Sequence, residues 1–286
     1  MGDAPHRRAL VVAALVIAAF GCGAETAAGP PGKPAVIGIF RLNRAPEQGG
    51  LSLGWAPGAT RVVVNGQDVA IASDGRFLVG FGRDYGLTTE IVASLADGRT
   101  VSERLPVARR DWEIEYLPTV PRFPRPDAEF QARRPAELAQ INTARQMTIT
   151  SEGWRQLFIW PAKGRISGHF GSQRVYAGEA GAPHSGVDVA GLVGAPVIAP
   201  ADGVVTLAAA APFTLEGNLL IVNHGMGLDS AFLHLSKIYV KKGDLIRQGQ
   251  LIGAIGMTGR ASGPHLHWGM KWKDERIDPQ PLAGPH

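Results

Sequence analysis

The chain has 286 residues, of which 45% are hydrophobic and 19% are charged, a composition typical of folded globular proteins and not of disordered ones. Its formal net charge of +4 at pH 7 favours anionic surroundings without specifying which. The basic residues are scattered, with no interleaved aromatic patch and no recognised nucleic-acid motif, so we expect no nucleic-acid partner. A single cysteine excludes an internal disulfide.

Residues 1–24 have the layout of a secretory signal. Arg7 and Arg8 precede an apolar run over residues 9–20, and small residues follow it. The run is too short to span a membrane comfortably. Cys22 stands in an imperfect lipobox, so two alternatives are open: cleavage as an ordinary signal peptide, or a lipid anchor through Cys22. A buried apolar N-terminal helix is a third interpretation, without export.

Residues 35–112 are predicted to form a small antiparallel β domain. Short apolar runs alternate there with Asn-Gly and Asp-Gly pairs that begin at Asn65, Asp74 and Asp97. Such pairs favour hairpin turns, because the turn needs positive φ at its central residues. The segment has no cluster of catalytic residue types, so we expect it to be a structural spacer or a binding module.

Residues 113–152 are predicted to be a linker with one helix. The stretch 117–126 contains four prolines, which excludes regular secondary structure and marks a domain boundary. From Pro135 to about Met147 the composition is helical. Three apolar residues form one stripe on this helix: Leu138, Ile141 and Ala144.

Residues 153–286 return to a β pattern, with short apolar runs separated by glycine-containing turns. This pattern predicts a compact antiparallel fold with many short strands. The predicted strands cover 203–207, 218–222, 231–235, 245–246, 251–255 and 265–270. The whole chain is therefore expected to be mainly β, with a linker helix between two β domains.

Six of the eight histidines lie between positions 169 and 267. His184 and Asp188 are four residues apart, and on an extended strand this even spacing directs both side chains to one face. His265 and His267, two residues apart, share a face in the same way. If the two pairs meet across a sheet, imidazole nitrogens and a carboxylate oxygen converge. This donor set suits zinc, and three protein ligands leave a position for water.

The remaining histidines carry weaker signals. His234 lies on an apolar strand, where an imidazole is costly unless it has a function or a hydrogen-bond partner. His169 is interpreted as a structural loop residue and His224 as a structural residue at a strand end or turn.

Five segments of the chain resemble, in order, the signature of the lysostaphin and LytM-type zinc metallopeptidases: GRISGHFG, HSGVD, FLHLS, VKKGDLIRQGQLIGAIGMTG and GPHLHW. The resemblance covers about residues 160–280 and implies the duplicated hybrid motif fold of that family. The chain departs from the family pattern at Phe232, where a Tyr is frequent, so any role of that hydroxyl is absent.

The resemblance also implies the role of each site residue. His184, Asp188 and His267 are expected to bind Zn²⁺, whereas His234 and His265 are expected to be catalytic histidines that do not bind the metal. The spacing alone does not distinguish His265 from His267. That distinction comes from the resemblance.

The expected function is a zinc-dependent endopeptidase that hydrolyses amide bonds in the peptide part of peptidoglycan. His265 is expected to act as general base, and His234 to help hold the tetrahedral intermediate. Export to the periplasm or cell envelope agrees with such a substrate. The cleaved bond is left open among the crosslink between D-alanine and diaminopimelate, a bond within the stem peptide, and a glycyl bridge.

Two other interpretations have different consequences. A catalytically silent protein that binds peptidoglycan or activates amidases would hold no metal. The segment GDLIRQGQLIG also resembles the turn of a lipoyl or biotinyl carrier, but the following GAIGMTG lacks the lysine that such a domain modifies. A latent enzyme is a further possibility, with the segment before Trp154 covering the groove.

Overall fold

A computed structural model describes residues 35–37, 40–119 and 127–286. The predicted secretory signal and Cys22 lie outside these residues, as does most of the proline-rich stretch. Among the described residues, no helix combines the length and the apolar character that crossing a membrane requires.

The first eight strands form two four-stranded antiparallel sheets, here called the N-terminal sheets, with strand orders β1-β2-β3-β6 and β5-β4-β7-β8. The Asn65-Gly66 turn joins β4 to β5 as predicted, with φ of 47° and 80°. The Asp74-Gly75 turn also closes a short antiparallel bridge, Ile71 to Phe77, but β6 then pairs with β3 and not with β5, so this turn leads from one sheet to the other. The strands are β1 (Ala35–Ile37), β2 (Phe40–Leu42), β3 (Leu51–Trp55), β4 (Ala59–Val64), β5 (Gln67–Val69), β6 (Arg76–Gly80), β7 (Thr88–Leu95) and β8 (Thr100–Pro106).

The linker helix is longer than the sequence predicted. Helix α1 spans Ala128–Gln146, and Asp127 caps it by accepting a hydrogen bond from the Phe130 N–H (2.8 Å). The prediction began at Pro135 because proline is favoured in the first turn and disfavoured in the interior. In the structure Pro135 lies inside the helix, and Leu138 is exposed, whereas Ile141 and Ala144 are buried.

The remaining strands form three sheets, here called the C-terminal sheets. The largest has eight strands in the order β10-β13-β21-β17-β16-β15-β19, with β22 paired to β21, and the smaller ones have the orders β12-β11-β9 and β14-β20-β18. Their strands, and a short helix α2, are β9 (Ile114–Leu117), β10 (Ile166–Gly168), β11 (Gln173–Tyr176), β12 (Glu179–Ala180), β13 (Val187–Ala190), β14 (Pro196–Ile198), β15 (Gly203–Ala208), β16 (Asn218–Asn223), β17 (Leu228–Leu235), β18 (Lys237–Ile238), β19 (Leu245–Ile246), β20 (Leu251–Ala254), β21 (His265–Trp272), β22 (Glu275–Ile277) and α2 (Gln280–Ala283).

The mainly β fold class is confirmed, with antiparallel sheets and two α-helices among the described residues. One pair of strands differs from this pattern. Strand β9 belongs to the segment predicted as a linker, yet it pairs in parallel with β11 of the C-terminal sheets. One buried cluster also contains residues of both sets of sheets, including Phe40 and Ile277. The predicted domain boundaries at residues 112 and 152 therefore stay predictions.

His224 is a buried structural residue at the end of β16. Its Nδ1–H donates to the Asp202 carbonyl oxygen (2.7 Å), and its Nε2 lies 2.8 Å from the Ser230 hydroxyl, which can donate to it. Burial lowers the pKa of His224 to about 4. The imidazole is therefore neutral in the folded protein at pH values where the unfolded chain is already protonated.

This pKa predicts a pH-dependent loss of stability. Between pH 6.5 and about 4 the unfolded chain binds a proton at His224 that the folded protein does not bind, so stability decreases as the pH falls. The expected slope from this residue is about 1.4 kcal/mol per pH unit. Urea unfolding of the wild type and of His224→Gln over this pH range measures it, because the difference between the two curves removes the other titrating groups. Parallel curves would contradict the prediction.

Candidate metal centre

Asp188 and His267 occupy directly opposed positions on neighbouring strands. Strand β13 pairs antiparallel with β21, and Asp188 is the register partner of His267. In the same pairing Ala190 lies opposite His265. The two histidines of β21 share one face, as their spacing predicted, because alternate residues of a strand point to the same side.

His184 reaches the site by a different path from the one expected. It lies in the loop before β13 and not on an extended strand with Asp188. The His184 N–H donates to the Ser172 carbonyl oxygen (2.8 Å), and the Gly171 N–H donates to the His184 carbonyl oxygen (2.9 Å). The His184 Nδ1–H donates to the His169 carbonyl oxygen (3.0 Å). The loop 169–172 therefore fixes both the backbone and the ring of His184.

Three donor atoms converge where these elements meet. His184 Nε2 lies 3.0 Å from Asp188 Oδ1 and 3.0 Å from His267 Nδ1, and the latter two atoms are 2.9 Å apart. Zinc bonds of ~2.0–2.2 Å in a tetrahedral arrangement place donor atoms about 3.3–3.6 Å from one another, so the three atoms need to separate by only a few tenths of an ångström to hold the ion. Two imidazole nitrogens and one carboxylate oxygen at these distances fit Zn²⁺, and they form a group able to hold a metal ion.

Electrostatics favour the protonation states that a metal needs. Burial lowers the pKa of His267 to about 4, so its ring is neutral at pH 7. Burial alone would raise the pKa of Asp188, but hydrogen bonds to His184 and His267 outweigh it and hold the pKa below its usual range. Burial alone would lower the pKa of His184, whereas the bond to Asp188 raises it. A proton at this centre is therefore held by His184, and a bound metal would displace it.

His265 and His234 lie next to the three converging donor atoms but are not part of that group. His265 Nε2 is 3.8 Å from Asp188 Oδ1, and the rings of His234 and His265 have centroids 4.8 Å apart. The His265 Nδ1–H donates to the Gly263 carbonyl oxygen (2.8 Å), and the His234 Nδ1–H donates to that of Thr258 (2.9 Å). These bonds leave the lone pair of each neutral ring on Nε2. Burial lowers the pKa of His234.

Sequence reasoning missed the groups that orient the histidines. They are the backbone carbonyl oxygens of His169, Thr258 and Gly263, and a carbonyl has no residue-type signature. His169 is a loop residue as interpreted, and its ring lies 3.1 Å, Nδ1 to Oε1, from Gln280. The glycine in HSGVD, by contrast, is visible in the sequence and indicates a position where the backbone lies close to a neighbouring group. A Cβ at Gly186 would lie 2.8 Å from His267 Nε2, so a larger residue there would crowd this ring.

Comparison with known proteins assigns this region to a family. Residues 182–279 match the model of Peptidase family M23. The match includes all five residues of the site, and it confirms the resemblance to the lysostaphin and LytM-type zinc peptidases.

Relatives extend the comparison. The peptidoglycan DD-endopeptidase ShyA of Vibrio cholerae is 44% identical over 108 residues, which are 37% of this chain and 25% of that protein. The DD-carboxypeptidase/endopeptidase Mpg of Neisseria meningitidis is 36% identical over 102 residues, 36% of this chain and 23% of that protein. The chain thus spans about a quarter of the length of the curated relatives it matches.

Solved structures can match far more of the chain than these relatives do. The structure of an M23 peptidase from Pseudomonas aeruginosa has 28% identity and a TM-score of 0.65, covering 84% of this chain and 96% of that one. A match of this extent includes elements that precede residue 182. The architecture around the candidate metal centre is therefore shared as well.

Gly168 provides a test of the donor geometry. A Cβ at this position would lie 2.6 Å from Asp188 Oδ2 and 3.2 Å from His184 Cε1. Both contacts are to side-chain ends, so we expect Gly168→Ala to displace two ligands without unfolding the protein, and to weaken zinc binding by about tenfold or more. Competition with a chelating dye measures the zinc Kd. Gly86→Ala is the matched control, since its Cβ would meet no atom within 3.4 Å. Equal Kd values for the two variants would refute the expectation.

Proposed function

We propose, from the peptidase family M23 match at residues 182–279, that this chain is a zinc-dependent endopeptidase that hydrolyses amide bonds in the peptides of peptidoglycan. The observation that carries the proposal is the convergence of His184 Nε2, Asp188 Oδ1 and His267 Nδ1 at 2.9–3.0 Å from one another. When bound, zinc supplies a Lewis acid and lowers the pKa of water to about 7.

His265 is the general base in this proposal. Its Nδ1–H is held by the Gly263 carbonyl, so Nε2 has the lone pair that accepts a proton from the attacking water. The protonated ring then donates this proton to the leaving amine, which restores the neutral histidine and balances the reaction.

His234 stabilises the tetrahedral intermediate and needs a proton to do so. Burial lowers its pKa, so in the resting site the ring is neutral and its Nε2 has no hydrogen to donate. The developing negative charge of the substrate oxygen favours protonation of this nitrogen, which then donates to that oxygen. This proton comes from solvent, because the proton that His265 accepts goes to the leaving amine, and it returns to solvent when the intermediate collapses.

The names of the Vibrio relatives favour one class of bond. Three of them are peptidoglycan DD-endopeptidases. We therefore favour a DD bond in the peptide crosslinks over a glycyl bridge or another bond of the stem peptide. This substrate lies outside the cytoplasmic membrane, which supports export to the periplasm or cell envelope. Lipid attachment at Cys22 and removal of the signal stay alternative predictions.

Separate readouts for zinc and for cleavage test the proposal. Purified wild-type protein is expected to contain one zinc per chain and to release new muropeptides from sacculi, and a chelator should abolish the release. His267→Ala should lose both zinc and cleavage. His265→Ala should keep its zinc, while its kcat falls by about 10²- to 10⁴-fold.

His286→Ala is the matched control. This histidine contacts the Trp160 ring and lies near the Ala162 carbonyl, away from the donor atoms, so both readouts should match the wild type. Metal-free wild-type protein that stimulates a cell-wall amidase would establish the catalytically silent alternative instead. We do not favour that alternative, because the five side chains that the proposal uses lie together at the centre.

A further inference from the structure

Helix α1 packs against the loop 209–217, which joins β15 to β16. On the helix, Ile141 and Ala144 are buried in a cluster separate from the main core. The cluster includes Phe213 from the loop, together with residues of β15 and β16. The predicted linker helix is therefore attached to one specific loop of the C-terminal sheets.

Polar contacts between the helix and this loop are more specific than the apolar ones. Glu137 accepts hydrogen bonds from the Thr214 N–H (2.8 Å) and the Thr214 hydroxyl (2.6 Å). Arg134 donates from two nitrogens to the two carboxylate oxygens of Glu216, at 2.6 and 2.8 Å. The same guanidinium lies 3.3 Å from Glu137. Arg134 thus lies between two carboxylates whose side chains are only 6% and 14% exposed, and Arg133 approaches the other oxygen of Glu137 at 3.5 Å.

The loop in turn holds His234. The His234 N–H donates to the Glu216 carbonyl oxygen (2.8 Å). This bond matters because His234 has φ of 63°, a left-handed conformation that side chains other than glycine rarely adopt and that surrounding contacts must maintain. On the other side, the Thr258 carbonyl accepts from the His234 ring, and the Thr258 hydroxyl oxygen accepts from the Asn218 N–H (2.9 Å). The two segments that fix His234 are also bonded directly to one another, because the Arg260 N–H donates to the Leu215 carbonyl oxygen in the loop 209–217 (2.9 Å).

We propose that Arg134 and Glu216 are positioning residues whose ion pair, made from helix α1, holds the backbone and ring of His234 in the catalytic orientation. The inference rests on the proposed function for its catalytic consequence. It assigns the helix a role in the reaction, although none of its residues touches the donor atoms. The zinc ligands are held by other elements, namely the β13–β21 pairing and the loop 169–172.

Because different elements hold the zinc ligands and His234, an effect of the ion pair on catalysis can be distinguished from a general effect on stability. Removing the guanidinium leaves Glu137 and Glu216, both largely buried, without their shared cation, so the loop must shift to separate or hydrate them. A shift at Glu216 reaches His234 through one hydrogen bond. The zinc site should stay filled. Small displacements of a catalytic group are sufficient to reduce kcat strongly.

The experiment uses the full chain and a soluble crosslinked muropeptide. Arg134→Gln is expected to lower kcat about tenfold or more, with KM within about twofold and zinc content unchanged. Arg61→Gln is the matched control, since it removes another two-nitrogen pair, to Asp68, on the N-terminal sheets. Its kcat should equal that of the wild type.

A charge exchange tests the pair itself. Arg134→Glu combined with Glu216→Arg again places one arginine beside two carboxylates, so we expect it to restore most of the kcat that Arg134→Gln loses. If Arg134→Gln does not fold, Arg134→Lys replaces it, and its kcat is expected to be more than twofold below that of the wild type, because a lysine cannot donate from two nitrogens to both Glu216 oxygens. A kcat for Arg134→Gln or Arg134→Lys within twofold of the wild type would overturn the inference, as would failure of the charge exchange in a folded, zinc-loaded protein.

Hydrogen exchange separates this inference from the proposed function. In Arg134→Gln the His234 amide should lose about tenfold in protection, because its acceptor on Glu216 is no longer held. If zinc-loaded wild-type protein cleaves no peptidoglycan, the proposed function fails, and the exchange result still decides whether the pair positions His234. Unchanged protection in Arg134→Gln would then refute the positioning role.

Discussion

The pairing register of β13 with β21 determines whether a metal centre can form. On one side of this strand pair, four residues are fully buried: Val187, Val189, Leu266 and Trp268. Val187 lies opposite Trp268, and Val189 lies opposite Leu266. Because side chains alternate between faces, a slip of one residue would expose this apolar set and turn the ligands into the core. Burial of the apolar face therefore sets the register of the two strands, and this register places Asp188 next to His267 on the opposite face.

Backbone carbonyl groups supply the second constraint. The Nδ1 atoms of His184, His234 and His265 each lie within hydrogen-bond distance of a main-chain carbonyl oxygen. A carbonyl only accepts, so each neutral ring carries its hydrogen on Nδ1 and its lone pair on Nε2. Metal binding and proton transfer both need that lone pair. The loops therefore select the functional tautomer, whatever side chains they carry.

The five residues proposed for the site could be named from the sequence because the resemblance supplies residue types and spacing, and the structure brings them together, while the role of each stays a prediction. The geometric argument for His184 was wrong, because even spacing implies a common face only on a continuous strand, and β13 begins after this residue. The start of α1 was also misplaced, since the rule against interior proline is a local preference and the packing of Ile141 and Ala144 is a tertiary effect. Local patterns likewise contain no information on the parallel pairing of β9, which depends on residues nearly 60 positions apart.

The segments before residue 153 support the centre from two sides. Arg83, beyond β6, donates to the Gly171 carbonyl oxygen (2.8 Å), and a Cβ at Gly171 would overlap the ring of Trp112. These contacts hold the loop 169–172, which in turn fixes His184 through hydrogen bonds. Helix α1 holds the loop that carries the His234 acceptor. In the described residues, the part of the chain before residue 153 thus contacts the two loops that hydrogen-bond to His184 and His234, and it acts on these histidines through their loops and not by touching the donor atoms.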